Sequence, residues 1–171
     1  MPKHLYISAQ KDGRRFAISD IHGCNKTFEA LLTKIDLQPK DQLFLLGDFV
    51  NRGNDSIGVI KTILNLQEAG YQVYCLRGNH EQMILDVLRR WPLQLKAFLK
   101  KYGSADLLNK EGRLRSKVFD FLQECLYYIE LDDYYLVHAG FDFKAEKPLK
   151  SFSKMLSIRK YTPDYEKINF K

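Results

Sequence analysis

LFLLGDFVNRGN, residues 43–54, decides the fold: an apolar run stops at Gly47-Asp48 and is followed closely by Asn51-Arg52-Gly53. A short apolar run without polar alternation reads as a strand buried on both faces, the kind found in mainly parallel sheets covered by helices. In such sheets the carboxyl ends of the strands line the ligand crevice. Asp48 therefore stands where a buried strand opens onto a working surface.

The flanking sequence has the matching periods. Phe28, Leu31, Leu32 and Ile35 fall at helical spacing before the run, and Ile60, Ile63 and Leu64 mark a second helix ending at Gly70. Residues 73–76 read as a third strand, and Ile84, Val87, Leu88 and Trp91 as a third helix. This alternation predicts an α/β fold with a mainly parallel sheet and right-handed crossovers. Residues 4–8 and 15–19 read as strands joined by Lys11-Asp12-Gly13, so the chain is expected to open with a hairpin. Leu95, Phe98 and Leu99, and then Val118, Phe121, Leu122 and Cys125, mark further amphipathic faces. Residues 127–131 and 134–137 read as a second hairpin around Asp132-Asp133.

The 171 residues suit one domain. At 45% hydrophobic and 28% charged the chain is globular, and no apolar run approaches the roughly 18 residues of a membrane span. Without an export signal it is expected to be cytoplasmic, and no membrane partner is expected. Cys24, Cys75 and Cys125 are too scattered for a disulfide framework or zinc ribbon and are expected to be reduced, mostly buried thiols. The net charge of +6 favours acidic or phosphorylated partners. Its basic residues form no block, so dedicated nucleic-acid binding is not expected.

Each expected strand ends in polar residues: Ser19-Asp20-Ile21-His22-Gly23, Gly47-Asp48, Arg77-Gly78-Asn79-His80-Glu81 and Val137-His138-Ala139-Gly140. Singly, Asp-x-His is a turn, Gly-Asn-His a loop, and His138 a satisfied core histidine. Four in order, each after an apolar strand, point instead to one convergent site. If the backbone stays extended, Asp20 and His22 point the same way and can grip one ion. Asp48 has two oxygens with which to bridge two ions held about 3.5–4 Å apart. Asn79 and His138 would complete the second set with Asp48. Oxygen and imidazole donors without thiolate suit manganese first, with iron or zinc as alternatives. His80 faces away from Asn79 and is placed as a general acid, protonating a leaving oxygen while a metal-bound hydroxide attacks phosphorus in line. Arg52 and Arg77 are expected to clamp phosphate oxygens.

These motifs resemble the calcineurin-like metallophosphoesterases, in the phosphoprotein phosphatase branch. SDIHG is similar to that family's GDxHG, GDFVNRG to its GDxVDRG and RGNHE to its RGNHE, while VHAG matches the next metal-histidine motif. MLSIR, residues 155–159, resembles a segment of small bacterial and phage members. The resemblance implies a sandwich of two β-sheets flanked by helices. It makes Asp20, His22, Asp48, Asn79 and His138 ligands for two divalent cations and His80 the acid, and it adds Arg159 to Arg52 and Arg77 as phosphate binders.

Three departures bear on function. Asn51 stands where the protein phosphatases pair an aspartate with the catalytic histidine, although the similar bacterial diadenosine tetraphosphatases also lack that aspartate. Ser157 replaces a usual tryptophan. No histidine follows His138, so the family's final Gly-His ligand and its last strands are missing, and the single domain spanning 1–171 is expected to be C-terminally incomplete. The second ion would then be weak unless a water, a partner or His4 fills the position. An uncovered sheet edge would invite homo-oligomerisation. The expected activity is phosphomonoester hydrolysis by a serine/threonine protein phosphatase-like enzyme acting through a metal-bound hydroxide, with phosphorylated protein as the first expected substrate and small phosphoesters after it. A diadenosine tetraphosphatase-like hydrolase is the alternative, as is a decayed phosphatase that binds metal and phosphate with little turnover.

Overall fold

The computed structural model describes residues 3–160 and 162–164. In chain order it contains β1 (His4–Tyr6), β2 (Arg15–Ile18), α1 (Asn25–Lys34), β3 (Gln42–Leu45), α2 (Ser56–Glu68), β4 (Gln72–Cys75), α3 (Asn79–Arg90), α4 (Leu95–Lys101), α5 (Ser116–Glu124), β5 (Tyr128–Glu130), β6 (Tyr135–Val137) and α6 (Phe152–Met155). β2, β3 and β4 pair in sequence order, all parallel, in one sheet. The second sheet runs β1-β5-β6, with β1 parallel to β5 and β6 antiparallel to it.

β3 shows why an unbroken apolar run was needed. Leu43 and Leu45 are fully buried on the face packed against Phe28, Leu32, Val59, Ile60 and Ile63 of α1 and α2. Phe44, between them, points the other way and joins Leu76, Leu126, Ile129 and Leu131 in the layer between the sheets. The result is the two-sheet sandwich expected from the resemblance. A parallel bridge from Leu76 to Leu126 ties the end of β4 to the approach of β5.

The opening hairpin does not form. β1 and β2 lie in different sheets, and Tyr6 pairs with Glu130 rather than with a neighbour across Lys11-Asp12-Gly13. Burial overrides the local turn signal, because Phe16 and Ile18 pack in the helix-facing core whereas Ile7 packs between the sheets. Gly13 answers a different demand: a Cβ there would lie 2.1 Å from the Lys40 carbonyl oxygen. The second hairpin is present as β5 and β6. Cys75 and Cys125 are buried thiols, but Cys24 is exposed. Residues 165–171, after which the family's final strands were expected to be missing, lie outside the described residues.

Candidate metal centre

The ends of β2, β3 and β4 and the antiparallel strand β6 deliver their polar residues to one place. Asp48 occupies the middle of it. Its Oδ2 lies 3.6 Å from His22 Nε2 and 4.0 Å from His80 Nε2, and its Oδ1 lies 3.6 Å from His138 Nε2. Asp20 Oδ1 is 3.7 Å from His22 Nε2 on one side, and Asn79 Oδ1 is 3.2 Å from His138 Nε2 on the other. One carboxylate thus presents its two oxygens to two separate sets of donors.

Both outer histidines are turned to expose Nε2. His22 Nδ1 lies 3.0 Å from the Val50 carbonyl oxygen and His138 Nδ1 2.7 Å from that of Leu46. A carbonyl can only accept, so Nδ1 carries the proton and Nε2 keeps a lone pair for a cation. His22 Nε2 is buried without a hydrogen-bond partner, an arrangement that a bound cation explains. His22, Asp48 and His80 offer donor atoms that all lie within 4.8 Å of one another. The donor set fits a divalent ion of intermediate hardness.

Asp20 and His22 converge by a different route from the expected one. The chain is not extended there: Asp20 has φ 55° and His22 φ 47°. Asp48, Asn51 and Arg52 also have positive φ, at 58°, 70° and 69°. Five of the six non-glycine residues in this region among the described residues are candidate site residues. Left-handed conformations cost free energy for side chains with a Cβ, so the surrounding contacts must enforce them.

Glu81 supplies much of that enforcement, and the sequence reading assigned it no role. Fully buried, it accepts hydrogen bonds from the backbone N–H of Asp48 and Gly78 at 2.8 Å through Oε2 and from that of Phe49 at 2.8 Å through Oε1. Its carboxyl is pushed up by burial and by the charge of Asp48, while the amides that it gathers act in the opposite direction. An acid at the third position of a helix is a known N-terminal signal, but the reach to the β3 loop is a tertiary contact. Gly78, the residue before α3, has no side chain for capping. Asp48 caps the helix instead, its Oδ1 accepting from the His80 N–H at 3.0 Å. A Cβ on Gly78 would lie 2.1 Å from that same oxygen, so this close approach requires glycine.

Asn51 and His80 form the other pair. Asn51 is fully buried, its N–H donating to Ser104 Oγ at 2.8 Å and Ser56 Oγ at 3.1 Å. Its Nδ2 lies 2.9 Å from His80 Nδ1. Burial, more than any neighbour, holds the His80 imidazole below its usual pKa, opposed by the Asp48 carboxylate and reinforced by the Arg52 guanidinium. Arg52 is exposed beside this pair, with its backbone N–H fixed to the Tyr102 carbonyl at 2.8 Å.

One expected phosphate binder is not brought to the site. Arg77 is buried and turned away: NH2 donates to the Leu122 and Gln123 carbonyls at 2.8 and 2.9 Å, and NH1 to Gln82 Oε1 and the Tyr127 hydroxyl at 3.1 Å. The open carbonyls near the C-terminal end of α5 attract a cation, and Arg77 is used there. Arg159 is exposed after α6, and no hydrogen bond or ion pair among the described residues joins it to the centre. His4, considered as a substitute ligand, stacks on Tyr128 with ring centroids 4.8 Å apart.

A family model described as calcineurin-like phosphoesterase covers residues 14–169. The symmetrical bis(5'-nucleosyl)-tetraphosphatase of Nitrosomonas europaea is 32% identical over 126 residues, which is 73% of this chain and 44% of that protein. The chain spans about half the length of the curated relatives that it matches. A solved structure provisionally described as a diadenosine tetraphosphatase superposes with a TM-score of 0.60 at 25% identity, covering 80% of this chain and 55% of the other. A protein serine/threonine phosphatase from Saccharomyces cerevisiae shares the fold at a TM-score of 0.60 and 19% identity, over 91% of this chain and 51% of its own.

Proposed function

The chain belongs to the calcineurin-like phosphoesterase family, and from that membership we propose that it is a two-metal hydrolase of dinucleoside polyphosphates such as diadenosine tetraphosphate. The observation that carries the metal chemistry is Asp48 set between His22 and His138. Asp20, His22 and Asp48 would hold one divalent ion, and Asp48, Asn79 and His138 the second, with manganese as the first candidate. When bound, such ions polarise the phosphoryl oxygens and lower the pKa of the attacking water.

The chain's own groups do the rest. Arg52 is the exposed cation at the site and meets the phosphate oxygens. Asn51 Nδ2–H donates to His80 Nδ1, which leaves the imidazole proton on Nε2, facing the centre. A neutral imidazole is a weak acid. It suits a nucleotide leaving from a phosphoanhydride, which needs little protonation, better than a serine or threonine alkoxide, which needs a great deal.

This revises the order of substrates expected from the motifs, which placed phosphoprotein first. The Asn51–His80 pair and the tetraphosphatases among the curated relatives both favour the anhydride. The test is a rate panel with Mn²⁺ on diadenosine tetraphosphate, a phosphoserine peptide and p-nitrophenyl phosphate. Diadenosine tetraphosphate should be split to ADP alone, at a kcat/KM at least tenfold above that for the peptide. A peptide turned over faster than the dinucleotide would reject the reading.

A further inference from the structure

Resting on the dinucleotide reading above, we infer that the groove along α3 next to Asn79 is a purine nucleoside subsite. Residues 79, 83, 86 and 90 recur at steps of four, three and four, so they share one helix face running about 16 Å from the metal centre. A groove of 410 Å³ follows this face, lined also by Tyr127 and Leu156. That volume lies within the roughly 300–1,000 Å³ of small-molecule sites. Asn79 connects the two places, since its Oδ1 lies 3.2 Å from His138 Nε2 and it also lines the groove. A larger cavity of 480 Å³ lies around Arg77 and Phe119, but no candidate metal ligand lines it.

The lining matches a flat heterocycle with polar edges. Met83, Leu156 and the Tyr127 ring offer polarisable and apolar surface. The ring is already fixed: the Arg77 guanidinium lies 5.0 Å from its centroid, Phe152 packs at 4.8 Å, and its hydroxyl meets Arg77 NH1 at 3.1 Å. Arg77 therefore shapes this wall and does not touch phosphate. Asp86, whose Oδ1 accepts from Gln82 Nε2 at 3.1 Å and from Arg89 NH2 at 3.2 Å, places a carboxylate one helical turn before the exposed Arg90. An acceptor beside a donor suits a purine edge that carries an amine next to a ring nitrogen. A dinucleotide whose scissile phosphate sits at Asp48 would extend one nucleoside along this face.

The test is calorimetric titration of the full chain with Mn²⁺ present, using ADP and pyrophosphate, which carry the same phosphates with and without the nucleoside. ADP should bind at least tenfold tighter. Met83→Trp, which fills the groove, and Arg90→Ala, at its exposed end, should each weaken ADP at least fivefold while pyrophosphate changes less than twofold. Equal affinities in the unmodified chain, or an ADP advantage that survives both substitutions, overturns the subsite. So does a phosphopeptide that binds tighter than ADP and is lost in the same variants. Cleavage of diadenosine tetraphosphate, measured separately, distinguishes the two claims: no cleavage with the ADP advantage intact rejects only the substrate reading, and cleavage without that advantage rejects only the subsite.

Discussion

Asn51 Nδ2 lies 2.9 Å from His80 Nδ1, so an amide, and no carboxylate, orients the candidate acid. An aspartate there would add a negative charge and favour the imidazolium. Asn and Asp accept left-handed backbone almost equally, so the φ of 70° at this position does not confound the exchange. Asn51→Asp is expected to raise turnover of a phosphoserine peptide by about tenfold, a fraction of the roughly 10²–10⁴-fold that general acid catalysis supplies in full. Diadenosine tetraphosphate and p-nitrophenyl phosphate should change by less than about threefold. Steady-state kcat on the three substrates decides it, and a uniform change would refute the assignment of His80 as acid.

Glu81 makes a second prediction. Gln at this position keeps the shape but replaces one acceptor oxygen with an NH₂ facing backbone donors. The Asp48, Phe49 and Gly78 N–H groups then compete for one oxygen. Glu81→Gln should destabilise the fold by about 2–3 kcal/mol, the scale of hydrogen bonds to a charged group. Because these amides set the position of Asp48, Mn²⁺ affinity should fall about 10–100-fold as well. Denaturant unfolding and metal titration on the same preparation measure both, and a stability loss with unchanged metal affinity would separate Glu81 from the centre.

The sequence made the covered sheet legible because β3 and β4 and the helices around them are specified by short-range period. Asp48, His22 and His138 were legible because the end of a buried strand is a poor place for a charge or an imidazole without a task. What escaped the reading was tertiary. The partner of β1 is Tyr128–Glu130, more than a hundred residues away, and the turn sequence between β1 and β2 carries no information about it. Arg77 reads as a cation beside a ligand, and nothing local discloses that the Leu122 and Gln123 carbonyls engage it. Glu81 was visible as a residue, but its partners are backbone amides on another strand end.

Asp41 carries a third prediction, on acid stability away from the centre. Its buried carboxylate accepts from Arg14 NH2 at 2.6 Å, the Arg14 N–H at 2.9 Å and the Gln38 N–H at 3.0 Å, which fixes the entry to β3 against the start of β2. The Arg14 guanidinium, more than the amides, holds the carboxyl well below the usual range. A lowered folded pKa stabilises above the unfolded value of about 3.9 and is lost as pH falls toward the folded one. Asp41→Asn should therefore cost about 1–2 kcal/mol at pH 7, modest because Arg14 is half exposed. It should also flatten the fall in Tm below pH 5. Parallel Tm-against-pH curves for both proteins would show instead that Asp41 does not titrate on unfolding.

Metal should also act on stability, because the centre gathers groups that repel or lack partners without it. Asp20 and Asp48 both face His22 Nε2, which is buried and unpartnered, and a cation satisfies all three at once. Binding to the folded chain alone stabilises it by RT ln(1 + [L]/Kd), about 2.7 kcal/mol at a hundredfold excess over Kd. Mn²⁺ at that excess should raise Tm by about 5–10 °C for a domain of this size, and chelation should reverse the gain. His22→Ala should remove one equivalent of Mn²⁺ through the Asp20 side, whereas His138→Ala should weaken the equivalent held with Asn79. If both variants lose the same equivalent in a calorimetric titration, Asp48 does not bridge two ions, and a single ion shared by His22, Asp48 and His80 must account for the geometry.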